Sequence, residues 1–126
     1  MLNLGVLQIV FNEISAAELS QLDTLSQLDL LDTFKVTEED LNNIDGERFG
    51  KIVRDHITLY RFRAGEHRIY FEVQEGLVIV HRVLNKNTFS DFMFRSQLPV
   101  GEDEELSESK VFWTLIDEGR NAKRNG

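Results

Sequence analysis

Three β-rich runs crowd the middle of the chain: Ile57–Arg63, Arg68–Val73 and Leu77–Leu84. The gaps between them, Ala64-Gly65-Glu66 and Gln74-Glu75-Gly76, are three residues long and hold one glycine each. Gaps that short cannot carry a crossover, so consecutive runs must pair antiparallel as hairpins. The third run is apolar at most positions of both parities, which predicts a strand covered on both faces. Any fold for this chain is built round that meander.

The flanks read as one more strand and several helices. Leu4–Phe11 carries Val6, Ile9, Val10 and Phe11, a strong β signal. Ser15-Ala16-Ala17-Glu18 fits a capping box and predicts a helix from Ala16. Leu19, Leu22, Leu25, Leu28, Leu30, Leu31 and Phe34 follow at a drifting spacing. That spacing fits one long helix, or two with a restart at Ser26-Gln27-Leu28-Asp29. Thr37-Glu38-Glu39-Asp40 caps a short helix ending near Asp45-Gly46, and residues 47–56 read as irregular. After the meander, Thr88-Phe89-Ser90-Asp91 predicts a capped helix with Phe89, Phe92 and Met93 facing inward. Pro99 with Gly101 marks a break. Residues 102–118 then predict a last helix, acidic at its start and apolar along Val111, Phe112, Leu115 and Ile116. Adjacent Phe112 and Trp113 predict one partly exposed aromatic. The expected class is α+β: an antiparallel sheet of about four strands, N-terminal helices on one face, plus a C-terminal helix. A domain over residues 1–96 would carry an extension, 97–126, packed on it or on a partner.

Composition removes several chemistries. The 126 residues include no cysteine, which excludes disulfides, a thiol nucleophile and cysteine-ligated metals. The histidines, His56, His67 and His81, form no metal-binding spacing. No apolar run is long enough to span a bilayer, and Met1–Phe11 lacks the features of a signal peptide, so the expected location is the cytoplasm. The net charge is −8. Counted along the sequence, residues 1–45 hold nine acidic and one basic group, residues 46–96 six and nine, and residues 97–126 seven and four. The whole chain therefore repels nucleic acid at long range, while its basic middle can still touch it.

The segment Tyr60-Arg61-Phe62-Arg63-Ala64-Gly65-Glu66-His67-Arg68-Ile69-Tyr70-Phe71-Glu72-Val73 resembles the central hairpin of the RelE/ParE toxin superfamily. The order of strand, helices and meander over roughly residues 6–90 is similar as well. The resemblance implies helices packed on one face of a small antiparallel sheet, and a bacterial toxin neutralised by an antitoxin. In its RelE branch it implies a metal-free endoribonuclease that represses translation by cleaving messenger RNA on the ribosome. In its ParE branch it implies a gyrase inhibitor with no nuclease activity. Arg68 matches the arginine that contacts the scissile phosphate, and Arg61 and Arg63 match the basic pair before the turn. Lys86 matches a basic position after the last strand. The tyrosine that follows in RelE itself has no counterpart in Asn85–Phe94, and Asn87 stands where arginine is common.

Arg61 and Arg63 are two apart on a strand and share a face, and Arg68 lies across the turn from them. Guanidinium groups suit a phosphate clamp because they donate in pairs and stay charged. The plainer alternative is a solvated edge paired with Glu66, Glu72 or Glu75. His67, beside Arg68, is the candidate for moving the 2′-hydroxyl proton, with Lys86 assisting and Arg82 a further RNA contact. Two functions follow: a ribosome-dependent endoribonuclease needing no cofactor or metal, or a non-catalytic protein of the same fold acting by protein contact. Antitoxin, ribosome with message, and a second copy of the chain are the partners these readings call for. If the C-terminal helix lies across the arginine face, its carboxylates would neutralise the clamp.

Overall fold

The computed structural model describes residues 5–89 and 99–125. Strand β1 (Gln8–Phe11) leads into helices α1 (Glu13–Ser20), α2 (Thr24–Thr33) and α3 (Glu38–Asn42). Four strands follow: β2 (Phe49–Arg54), β3 (Ile57–Ala64), β4 (His67–Gln74) and β5 (Leu77–Asn85). A 3₁₀ turn, Lys86–Phe89, and helices α4 (Pro99–Ser107) and α5 (Lys110–Arg120) complete the fold. The class is α+β. The sheet has five strands in the order β1-β5-β4-β3-β2, and β1 runs parallel to β5 while the other neighbours are antiparallel.

Two expectations about the sheet are corrected. It is mixed, because the three helices between β1 and β2 let the N-terminal strand return beside β5 in the same direction. It also has a fifth strand, β2, in the stretch read as irregular. There Phe49 joins the apolar cluster on one face and Ile52 the cluster on the other, with Gly50 between them. A strand holding one large apolar residue per face shows no alternation to read. The meander follows its short gaps, and the β4–β5 turn places Glu75 and Gly76 both at positive φ, the type I′ geometry that matches strand twist.

The helix starts also differ. Asn12, not Ser15, caps α1: its side chain accepts from Ser15 N at 2.6 Å, and Ser15 Oγ accepts from Asn12 N at 3.0 Å. The box has the same logic as the one expected, displaced by three residues. Asp23 caps α2 through Ser26 N, so the leucine-rich segment is two helices. Thr37 caps α3 as its sequence indicates. The expected helix after Thr88, with Phe92 and Met93, lies outside the described residues. The expected last helix is two, because Ser109 caps α5 by accepting from Phe112 N.

Each sheet face has its own core. On one, Leu30 of α2, Phe34 just past its end and Val36 meet Phe49, Phe62, Ile69, Phe71, Val78, Val80 and Val83. Phe34 lies 5.0 Å from Phe62 and 5.6 Å from Phe71 between ring centroids, contacts that add to simple burial. On the other face, Leu106 of α4 and Phe112, Trp113 and Ile116 of α5 meet Ile52, Leu59, Tyr70 and Leu84. Phe112 and Trp113 are both buried, against the expectation that one would be exposed. Trp113 can be buried because its Nε1 donates to Ser107 O at 2.9 Å.

Candidate functional site

The hairpin β3–β4 sets Arg63 opposite Arg68, with Arg61 two residues before Arg63 on the same face. The three arginines therefore share a side of the sheet, as their spacing implies. They do not form an open patch. Helix α4 lies over two of them, and its consecutive carboxylates Glu102 and Asp103 reach down to those two. Arg61 Nε donates to Asp103 Oδ1 at 2.9 Å, while Nη1 and Nη2 donate to the carbonyls of Glu47 and Gly46. Arg68 Nε contacts both Glu102 oxygens at 3.1 and 3.2 Å, and its Nη1 donates to the carbonyls of Gly65 and His67. Arg61 is 0% exposed and Arg68 3%. The accessible clamp expected from the sequence is thus closed at two of its three members. A buried guanidinium must be paired and its donors occupied, and the helix supplies what water cannot.

Close packing at this pair has a sequence trace. A Cβ built on Gly50 would collide with both Asp103 Oδ2 and the Arg61 guanidinium. The glycine in β2 makes room for the ion pair. Burial pushes the Asp103 carboxyl up to about 6, against the opposing pull of Arg61. Burial likewise pushes the Tyr70 phenol, on the same face, far above its ordinary range.

The other sequence-predicted residues are scattered. Arg63 is exposed, 3.8 Å from Glu47. His67 pairs with Ala64, on the opposite sheet face to Arg68. The hairpin end nevertheless brings Arg63 and His67 to one cleft of about 720 Å³, together with Arg48 and the α2 residues Ser26, Asp29 and Thr33. Lys86 is exposed and lies 3.4 Å from Glu66. Arg82 sits at the far end of the face, bonded to Glu18 of α1 at 2.6 Å and to Glu118 of α5 at 3.2 Å. It ties the two helical layers together. The structure does not gather Arg68, His67 and Lys86 round one reacting position.

A second polar group had no motif to announce it. His81 is the extra residue of a β-bulge, since Tyr70 pairs with Arg82 and Phe71 with Val80. Its Nε2 lies 2.7 Å from Glu72 Oε2, which also accepts from Arg120 Nε at 3.0 Å. Burial holds the imidazole below its ordinary value, opposed by Glu72. Only the third dimension joins residues 72, 81 and 120.

Among the described residues no group of three or more histidine, aspartate or glutamate side chains is placed to hold a metal ion. Nor, among them, is any helix long and apolar enough to cross a membrane. Comparison with family models, with curated proteins and with solved structures found no match to this chain.

Proposed function

We propose that this chain has a RelE/ParE-like fold and acts by protein contact, as a non-catalytic relative of that superfamily. The fold reading draws support from the order of strand, helices and meander and from the signature hairpin falling on β3–β4. The observation that carries the functional reading is the use of Arg61 and Arg68 as the internal anchors of α4. Two guanidiniums buried under a helix and held to its carboxylates are closed to a phosphate arriving from solution. A surface for contact is present on α2, where Leu25, Leu28 and Leu31 are 79%, 59% and 44% exposed. Exposed leucines in a row on one short helix are a feature of docking surfaces. The partner in this reading is a protein, either an antitoxin-like neutraliser or a gyrase-like target.

A second reading, a ribosome-dependent endoribonuclease, is favoured by one observation: Arg48, Arg63 and His67 line a single open cleft. Primer extension on ribosome-bound message separates the two. The contact reading expects no new cleavage at any protein concentration. Cleavage that persists with a chelator and is lost in Arg63→Gln or His67→Gln would replace it with the nuclease reading.

A further inference from the structure

The corner where β4, β5, the end of α5 and the cap of α1 meet encloses a small polar cavity of about 150 Å³. Glu72, His81, Arg120, Arg124 and Asn12 are among its walls. Three observations there point the same way. First, charge: residues 119–126 hold Arg120, Lys123 and Arg124 and no acidic side chain, in a chain of net charge −8. Within the cavity wall, Glu72 offsets one of two arginines and leaves the corner positive. Second, donors: Arg120 uses Nε on Glu72, and its Nη1 comes only to 4.0 Å from Asp117. Arg124 holds Gln74 with Nη2 at 3.3 Å. Both forks keep N–H groups for an acceptor. Third, His81 Nδ1 is buried and has no hydrogen-bond partner among the described residues. Buried polar atoms are nearly always paired, so an orphan needs a reason.

The tautomer follows from its neighbours. Glu72 Oε2 accepts from Arg120, and a carboxylate can only accept, so His81 Nε2 carries the hydrogen. Nδ1 then presents a lone pair that wants a donor. The group that enters this corner must be anionic for the arginines, carry a hydroxyl for the imidazole, and be no larger than a tetrahedral oxyanion.

We propose that this corner binds a protonated tetrahedral oxyanion, a phosphate group that keeps one proton, held by Arg120 and Arg124 with its hydroxyl donating to His81 Nδ1. Asn12, which fixes His81 by donating to its carbonyl at 3.2 Å and to Gly119 O at 2.8 Å, keeps the walls in register. The site is distinct from the arginine face under α4 and does not depend on the function proposed above.

The test is a titration of the full chain at neutral pH, followed through the His81 ring nitrogens by NMR. Inorganic phosphate, which retains a proton, should bind saturably and move the Nδ1 resonance. Sulfate, which has none, should bind more weakly, and a nucleoside 5′-monophosphate distinguishes a free ion from a phosphate monoester of a larger molecule. Arg124→Gln, at an exposed position, should weaken phosphate about tenfold, the effect of one charge-assisted hydrogen bond, and Arg120→Gln at least as much. No saturable shift with phosphate or the monophosphate overturns the proposal. So does unchanged affinity in folded Arg124→Gln and Arg120→Gln proteins. Equal affinity for sulfate overturns the role given to the imidazole.

Discussion

The two faces of the sheet are closed by different physics. On the α2 face, phenylalanines, valines, Leu30 and Ile69 are buried together, and the charge that meets them is the Arg48 guanidinium over the Phe49 and Phe62 rings. On the α4–α5 face, Arg61, Arg68, Glu72, His81, Glu102 and Asp103 are buried beside a smaller apolar cluster. Apolar burial is favourable wherever it happens, so the first face is a source of stability. Buried ion pairs return little net stability, because each charge first loses its water, but they penalise any other arrangement. The second face is therefore specified more than it is stabilised. The arginines that sequence reasoning assigns to a ligand are spent on choosing where one helix lies.

Breaking the apolar face should cost most. Phe71 is fully buried among Phe34, Phe49 and Tyr60. Phe71→Ala should lower the unfolding free energy by about 3–5 kcal/mol. Chemical denaturation measures this, and the loss should not depend on salt. Removing one partner of the charged face comes next. Arg61→Ala leaves Asp103 buried and alone and should cost about 3 kcal/mol, while Arg61→Met with Asp103→Leu should recover most of it. A double variant as unstable as the single one would show that the pair is a net stabiliser, and the contrast between the faces would fail.

Gly50→Ala should be milder, about 1–3 kcal/mol of overpacking, and should disturb α4 before the sheet. Amide exchange in α4 and β4 reads that order. The smallest effect is in pH. Asp103 has its folded value raised from 3.8 to about 6 by burial. The stability it contributes is complete below the lower value and lost as the pH rises through the upper one. Thermal unfolding of wild type and Asp103→Asn should therefore diverge across that window, with wild type falling relative to the variant as the pH rises. Parallel curves would mean that folding leaves the Asp103 carboxyl without a net shift.

Much of the first face was legible in the sequence and little of the second. The runs at 57–84, their glycine-bearing gaps and the double-sided apolar character of β5 are local patterns, and the structure follows them. Thr37 is likewise a cap that its own neighbours define. The strand β2 was hidden because Phe49 and Ile52 serve opposite faces. The α1 cap was displaced because Asn12 and Ser15 form the same kind of box as Ser15 and Glu18 would. The site is a longer-range matter. The shared face of Arg61, Arg63 and Arg68 comes from strand parity, but their burial depends on carboxylates 34 and 42 positions away. Glu102 and Asp103 read locally as favourable charges at a helix start, and nothing in their spacing names their partners. Nothing in the spacing of Glu72, His81 and Arg120 announced that they meet.

The account stands most directly on the state of the signature arginines. Exchange of their Nε–H protons with solvent, measured by NMR near neutral pH on the full chain, reports it residue by residue. The account predicts slow exchange for Arg61 and Arg68, each bonded to a carboxylate under α4, and fast exchange for exposed Arg63. Equally fast exchange at all three would mean that the arginine face is open in solution, and would contradict both the closed clamp and the function drawn from it.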